Sequence, residues 1–186
     1  MTYAASQLVF RLLLRRCFNW LKMAVSTDGM DMSISEIERL SAEEACAIIN
    51  KFIATKSYAV EYDLNGSLLG DFERHYSHSG IYAFRLTKAG KTAIAYIGKT
   101  EKNGRIRQHL LSQNMDGSSL KSSTRTKHDK IKNAIENGFT VELCLYADTA
   151  FGKASLACIE IAAAQKAKEC FVATFPDEVH WNTRLG

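Results

Sequence analysis

Residues 80–109 read GIYAFRLTKAGKTAIAYIGKTEKNGRIRQH, and this stretch decides the fold. Two runs rich in β-branched and aromatic residues, 80–86 and 92–98, flank a Lys-Ala-Gly-Lys break, which is the pattern of a β-hairpin. In an antiparallel pair the start of the first strand lies beside the end of the second. Tyr82 and Tyr96 are therefore expected to be neighbours at the open end of the hairpin. Two adjacent phenols at a strand end indicate a site more than a core.

A basic helix is predicted directly after the hairpin, from about Arg105 to Gln113. Arg105 and His109 are four residues apart, so both project from one helical face, whereas Arg107 lies on a different one. The helix therefore brings an arginine and a histidine towards the pair of tyrosines.

The positive charge of the chain is concentrated around this stretch. Residues 83–133 contain twelve Lys/Arg and three Asp/Glu, a balance of +9, so the rest of a chain with net charge +4 carries −5. A basic block around a candidate site fits a polyanionic substrate such as nucleic acid. A solvated charged face is the alternative interpretation of the same pattern.

The remaining sequence predicts one more strand and three more helices. Residues 139–147 (FTVELCLYA) have the pattern of a buried strand, which we expect to pair beside the hairpin. Apolar spacing and capping residues predict helices over 35–56, 126–136 and 150–170. The predicted fold class is therefore α+β (mixed α/β): a small three-stranded antiparallel sheet flanked by helices, with an N-terminal helical extension.

The length of 186 residues favours one main domain with extensions. We predict a basic extension and linker over 1–33, a helical N-terminal segment over 34–78, and the main domain over 79–186. Residues 1–23 carry basic and apolar residues and no acid, which permits a transit-like or surface-associating amphipathic helix. Alternatively the natural start is Met23, Met30 or Met32, and the residues before it are not native.

Cysteine usage and hydropathy suggest a reducing compartment. The five cysteines are scattered, and no CxxC or Cys/His spacing indicates zinc, so we expect reduced thiols and a cytoplasmic location. The sequence has no run of 18 uninterrupted apolar residues, so no membrane span is predicted.

Glu160 is a lone carboxylate in the apolar run ASLACIEIAAAQ, with the nearest charges at Lys153 and Lys166. Such a group is costly to bury unless it has a partner or a cation, so Glu160 is a candidate metal ligand. The alternative is a glutamate on the exposed stripe of the helix. Glu169 is the second candidate for the metal-binding carboxylate.

The ordered set of GIY, YIG, Arg105, His109 and later polar residues resembles the GIY-YIG endonuclease superfamily, over about residues 79–182. The resemblance implies a GIY-YIG nuclease-like fold for the main domain. It also implies a role for each matching residue: Tyr82 as general base or water-positioning group, Tyr96 as the group that orients the nucleophile or scissile phosphate, Arg105 as the transition-state stabiliser beside His109, Glu160 as the metal ligand, and Asn182 as a residue that holds the site together. The expected substrate-binding residues are Lys99, Arg107 and His128.

Phosphodiester hydrolysis has chemical needs that these residue types meet. Mg²⁺ (or Mn²⁺) binds through one or two carboxylates and stabilises developing charge, and an arginine fork matches phosphate oxygens. A free phenol has a pKa near ~10, too high for an efficient base. The cations Lys99 and Arg105, with His109, would favour the phenolate of Tyr82, which makes a tyrosine base or a tyrosine–histidine relay reasonable. Gly80 and Gly98 are expected where the backbone needs unusual dihedrals or close approach.

The sequence therefore predicts a stand-alone, metal-dependent endonuclease that hydrolyses DNA, most simply double-stranded DNA, by this mechanism. The alternative is a catalytically inactive nucleic-acid-binding module. A third hypothesis is a role at a cell or organelle surface that depends on residues 1–23.

Overall fold

The structure is a computed structural model that describes residues 34–54, 56–100, 104–114, 116–119, 126–146 and 153–182. The elements in chain order are α1 (Ile34–Ala54), β1 (Tyr58–Ala59), β2 (Glu61–Tyr62), β3 (Leu68–Leu69), β4 (Gly80–Lys88), β5 (Lys91–Thr100), α2 (Arg105–Leu111), α3 (Thr126–Glu136), β6 (Thr140–Tyr146) and α4 (Lys153–Thr174). The predicted basic extension over 1–33 lies outside the described residues.

The α+β class is confirmed, but the main sheet has four strands where three were predicted. The main sheet is antiparallel with four strands in the order β1-β6-β4-β5, and β2 pairs with β3 in a separate two-stranded sheet. The fourth strand is β1, two residues long and paired with β6, and two residues are too few to show a period of two. In the segment predicted as helical over 34–78, α1 ends at Ala54, and the rest holds β1, β2, β3 and one turn of 3-10 helix at Glu73–His75. None of the helices in the described ranges is long and apolar enough to cross a bilayer.

The main sheet separates two apolar clusters, because alternate residues of each strand point to opposite faces. On one face, Ile81 and Ala83 of β4 pack with the buried sides of α1 and α4. On the other face, Tyr82, Phe84 and Leu86 pack with residues of α2, α3 and the C-terminal segment. The candidate tyrosines belong to this second face, which we call the tyrosine face.

A β-bulge in β5 decides on which face Tyr96 lies. The pairing runs from Lys88↔Lys91 to Arg85↔Ile94, and then shifts by one residue to Phe84↔Tyr96, which leaves Ala95 as the extra residue. With a regular register Tyr96 would oppose Ala83 and point to the face covered by α1 and α4. The bulge therefore brings Tyr96 to the tyrosine face.

The outer edge of β5 is covered by residues from the C-terminal part of the chain. The Trp181 backbone N–H donates to the Ala95 carbonyl (2.8 Å), and the Asn182 side chain makes two hydrogen bonds with the Ile97 backbone (2.9 and 2.8 Å). The Glu160 carboxylate accepts the next outward N–H, that of Lys99 (3.1 Å). β5 is an edge strand, and the outward-facing backbone groups of an edge strand usually lack partners. In β5 these groups are satisfied at Ala95, Ile97 and Lys99, around Tyr96.

Arg85 ties the C-terminal end of α1 to the sheet. Its guanidinium donates to Glu142 (2.9 Å) and to the carbonyls of Phe52 and Ile53 at the end of the helix (2.9 and 2.8 Å). Only 12% of the Arg85 side chain and 20% of the Glu142 side chain are exposed, so the pair is largely desolvated. Burial of an ion pair makes the loss of one partner expensive.

We expect Arg85→Met to lower the free energy of unfolding by about 2–3 kcal/mol, because it leaves the Glu142 carboxylate with only the Ser57 hydroxyl as donor and removes the donor of two helix-end carbonyls. Urea denaturation followed by circular dichroism measures the change. Lys166→Gln is the control, since it breaks an exposed ion pair with Glu169 and should cost less than about 1 kcal/mol. The double variant Arg85→Met/Glu142→Leu should recover stability relative to the single one. If Arg85→Met loses no more stability than the control, the hydrogen bonds of Arg85 do not hold the end of α1 to the sheet.

Candidate active site at the open end of the hairpin

Tyr82, Tyr96 and His109 form one aromatic cluster on the tyrosine face. The ring centroids of the two tyrosines are 5.9 Å apart, and the His109 ring lies 5.9 Å from that of Tyr82 and 5.4 Å from that of Tyr96. Tyr96 stands opposite Phe84, the next residue after Tyr82 on the same face, so the tyrosines are diagonal neighbours. The sequence-predicted proximity of these three residues is therefore present in the structure.

Tyr82 is fully buried, and this reverses one expectation. Its exposed fraction is 0%, and its oxygen lies near the Tyr96 phenol without forming a hydrogen bond of good geometry among the described residues. Burial, reinforced by Tyr96, raises the pKa of Tyr82 well above its usual value, although the Arg105 charge acts in the opposite direction. The expectation that nearby cations favour the phenolate was wrong, because loss of hydration outweighs the attraction. Tyr82 is a neutral phenol at neutral pH.

His109 is the second buried polar group of the cluster. Burial lowers the pKa of His109 to about 3, with further contributions from Arg105 and Lys127, so the imidazole is neutral. Its Nε2, like the Tyr82 oxygen, is buried without a hydrogen-bond partner among the described residues. Leaving a buried polar atom unsatisfied costs about 1–3 kcal/mol, and such costs are often found at functional sites. Two of them in one cluster mark this cluster as a candidate site.

Two cations flank the Tyr96 ring, and sequence reasoning identified only one. Arg105, at the start of α2, is exposed, and its charge acts to lower the pKa of Tyr96 against the larger effect of burial. Lys127 Nζ lies 4.8 Å from the centroid of the Tyr96 ring and donates to the Trp181 carbonyl. Burial lowers the pKa of Lys127 to about 8, helped by Lys130 and Arg105. The only sequence signal for Lys127 was its place in the basic block.

Glu160 approaches the tyrosines from α4, past the edge of β5. Its carboxylate is half-buried and accepts the Lys99 backbone N–H, two residues beyond Ile97 along the strand. The negative charge of Glu160 acts to raise the pKa of both Tyr82 and Tyr96, so the carboxylate lies within electrostatic reach of the pair. Glu169, the alternative metal ligand, is exposed and paired with Lys166 (3.1 Å). The structure thus brings Glu160, and not Glu169, towards the tyrosines.

The residues near the tyrosines fit a magnesium or manganese ion that the substrate helps to bind. The described residues contain no group of three or more His, Cys, Asp or Glu side chains that could enclose an ion. Mg²⁺ does not need such a group, because it is often held by one or two carboxylates, several waters and the phosphate of the substrate. Glu160 supplies one partly exposed carboxylate, which is sufficient for a site that is completed by the substrate.

Asn182 and the two glycines have structural roles around the cluster. The Asn182 side chain holds Ile97 between Tyr96 and Gly98, which is consistent with a residue that maintains the site. Gly80 has φ +132°, in the range that favours glycine, and Gly98 lies opposite Tyr82. A Cβ built on Gly98 would be 2.8 Å from the Tyr82 oxygen and 2.8 Å from Tyr96 Cε1. The predictions for Gly80 and Gly98 are confirmed.

Gly98→Ala is expected to displace Tyr82 and Tyr96, because the new methyl group has no room between them. Overpacking of this kind typically costs about 1–3 kcal/mol, measured by urea denaturation. Gly90→Ala is a matched control in the hairpin turn: its φ of +74° makes alanine strained, while nothing lies within 4 Å of the new methyl. We expect the tyrosine fluorescence spectrum to change in Gly98→Ala only. Equal spectra for the two variants would contradict the packing assigned to Gly98.

The predicted substrate-binding residues are dispersed. Arg107 donates to Gln113 (3.3 Å) and its guanidinium lies 5.6 Å from the Tyr76 ring, on the face of α2 away from Arg105. His128 is buried, with Nδ1 3.0 Å from the Leu110 carbonyl. Lys99 contributes the backbone N–H that binds Glu160. Their roles in substrate binding stay predictions, and only Lys99 is next to the cluster.

Comparison of the chain with protein families, curated proteins and solved structures finds no match. The residues and their geometry at the open end of the hairpin are therefore the only basis for assigning a function.

Proposed function

We propose that the chain is a metal-dependent endonuclease that hydrolyses phosphodiester bonds in DNA, as the resemblance to the GIY-YIG superfamily implies. The observation that carries the proposal is the convergence of Tyr82, Tyr96, His109, Arg105 and Glu160 at one end of the hairpin, from four separate elements. The phenols and the histidine can move a proton, the guanidinium can bind phosphate oxygens, and the carboxylate can hold a divalent ion, so together they meet the needs of phosphodiester hydrolysis.

Tyr82 and His109 have matched roles in proton transfer. Because Tyr82 is neutral, it accepts a proton from the attacking water only if it passes its own hydroxyl proton on. The acceptor in this proposal is His109 Nε2, which lacks a hydrogen-bond partner among the described residues, in the tautomer with the proton on Nδ1. Because burial lowers the pKa of His109 to about 3, the transfer depends on the negative charge of the bound phosphate, which raises that pKa again. The water oxygen forms the new bond to phosphorus as the bond to the departing oxygen breaks. This is the tyrosine–histidine relay, and it replaces a preformed phenolate.

Arg105 and Glu160 are the groups that stabilise charge in this proposal. Arg105 is exposed at the start of α2, where its planar guanidinium can bind two phosphate oxygens. Glu160 would hold Mg²⁺ or Mn²⁺ together with the phosphate. When bound, the divalent ion supplies positive charge that stabilises the developing charge on the phosphate and the departing oxygen.

A catalytically inactive nucleic-acid-binding module is the second candidate function. The observation that favours it is the complete burial of Tyr82, since a general base must come within hydrogen-bonding reach of its water. Such a module would bind DNA with a steep salt dependence and leave supercoiled plasmid intact. Gel-shift and nicking assays on the same preparation separate the two functions.

The direct test is nicking of supercoiled plasmid in Mg²⁺ compared with EDTA, for the parent chain and for Tyr82→Phe. We expect the parent to nick only with the metal, and Tyr82→Phe to lose at least about 100-fold in rate, the usual contribution of a general base. Because the Tyr82 oxygen forms no good hydrogen bond, its removal should leave the free energy of unfolding unchanged or higher. Tyr58→Phe is the control, since the Tyr58 ring packs against that of His75 outside the cluster, with ring centroids 4.0 Å apart. A Tyr82→Phe rate equal to that of the parent would remove Tyr82 from the mechanism.

A further inference from the structure

A band of lysines leads away from the aromatic cluster. Lys127 and Lys130 are three residues apart on α3 and therefore share one face of the helix, and Lys168 lies on α4. Lys168 is exposed, and the other two are half-buried. None of the three is needed for the proton relay.

The C-terminal segment 180–182 connects these lysines in space. Lys127 Nζ donates to the Trp181 carbonyl and lies 4.8 Å from the centroid of the Tyr96 ring, which fixes one end of the band at the candidate site. His180 packs its ring against Phe171 of α4 (centroids 5.5 Å apart), and Lys168 is one helical turn before Phe171. The segment therefore lies between Lys127 on one side and Lys168 on the other.

The electrostatics of His180 show that these charges act together. After burial, the groups that lower the pKa of His180 to about 4 are Lys168, Lys127 and Lys130. The pKa of Lys127 is in turn lowered by Lys130 and Arg105. The acids just before the C-terminal segment, Asp177 and Glu178, are exposed and do not offset the lysines in shifting the pKa of His180. Lys127, Lys130 and Lys168 therefore all lie within electrostatic reach of His180, and Arg105 and Lys130 lie within reach of Lys127.

We propose that Arg105, Lys127, Lys130 and Lys168 form a lysine track that holds the phosphodiester backbone of double-stranded DNA as it leaves the candidate site. The backbone passes from Arg105 and Tyr96 over the first turn of α3 and the C-terminal segment to the last part of α4. The inference rests on the proposed function only in taking DNA as the ligand. Apart from Arg105 and Tyr96, where the track begins, and Asn182 in the C-terminal segment, it assigns binding contacts to lysines that are not part of the GIY-YIG set.

The decisive measurement is the salt dependence of DNA binding for the double variant Lys130→Gln/Lys168→Gln. Binding of a labelled DNA duplex is followed by fluorescence anisotropy between about 50 and 200 mM salt, in EDTA so that no cleavage occurs. Each phosphate contact contributes about 0.9 to the slope of log K against log salt, so the slope should decrease by about 1.8. At about 0.1 M salt this corresponds to roughly a tenfold loss of affinity per contact.

Lys56→Gln/Lys91→Gln is the matched control, because it removes the same charge from two exposed lysines, one after α1 and one at the closed end of the hairpin. We expect its slope to equal that of the parent. Equal slopes for the track variant and the parent would overturn the lysine track, and so would equal decreases in both double variants, since net charge alone would then explain binding. A parent chain that binds DNA with this lysine dependence but never nicks plasmid would retain the track and reject the endonuclease. If the parent nicks plasmid and the slope for Lys130→Gln/Lys168→Gln equals that of the parent, the endonuclease is retained and the lysine track is rejected.

Discussion

Glu160→Gln is expected to reduce the rate of plasmid nicking by at least about 100- to 1,000-fold, the usual cost of removing a charge-stabilising group from a transition state. Glutamine keeps the side-chain oxygen that accepts the Lys99 N–H, so the edge of β5 should remain covered. It removes the negative charge that a divalent ion requires. The loss of rate should therefore occur without loss of stability, as measured by urea denaturation.

Two further variants separate the chemical role of Glu160 from its structural one. Glu160→Ala removes both the charge and the hydrogen bond to Lys99, so it should lose rate and also about 0.5–1.5 kcal/mol of stability. Glu169→Gln lies on the same helix and breaks only an exposed pair with Lys166, so it should nick like the parent. If Glu160→Gln nicks at the parent rate, or Glu169→Gln is the inactive one, the assignment of the metal ligand is wrong.

Mild acid is expected to destabilise the fold strongly, because His109 and His180 are buried as neutral imidazoles. Their pKa values are lowered to about 3 and about 4 from an ordinary value of 6.5, so the unfolded chain binds protons that the folded chain excludes. The stabilisation is complete above pH 6.5 and is lost as the pH falls from there towards the folded-state values. Each histidine contributes about 1.4 kcal/mol per pH unit in this window, or about 4 kcal/mol for both between pH 7 and pH 5.

Urea denaturation at several pH values between 7 and 5 measures this effect. The variant His180→Leu removes one of the two groups, so the slope of its unfolding free energy against pH should be smaller than that of the parent by about 1.4 kcal/mol per pH unit in this window. His75, His78 and His128 also have lowered pKa values and should add smaller contributions of the same sign. A free energy of unfolding that is equal at pH 7 and pH 5 would show that the two histidines are hydrated or protonated in the folded chain.

The hairpin and the helices could be predicted because their patterns are long and periodic. The prediction of α3 over 126–136 matches its observed bounds, and residues 139–147 contain β6 at the expected place beside β4. The neighbouring positions of Tyr82 and Tyr96 were also predicted, although a regular hairpin with this two-residue turn would have separated them to opposite faces. The bulge at Ala95 could not be read from a run of small and apolar residues.

Features that depend on distant parts of the chain were not predictable. The protonation state of Tyr82 depends on how completely α2, α3 and the C-terminal segment cover it, and the sequence around Tyr82 shows only the nearby cations. Lys127 is similar: its sequence neighbours are those of an ordinary solvated helix, and its place at Tyr96 depends on contact with Trp181. The two-residue strand β1 depends on its partner β6 in the same way.

The bulge at Ala95 also determines which length changes the hairpin can accept during evolution. Insertions within the turn at residues 89–90 lengthen an exposed loop and leave every strand pair in place. A regular register through Ala95 would move Tyr96 to the face of the sheet that α1 and α4 cover. Deletion of Ala95 would remove the carbonyl that accepts the Trp181 N–H. Homologous hairpins that keep both tyrosines on one face should therefore vary in length at the turn and preserve an odd residue between Ile94 and Tyr96.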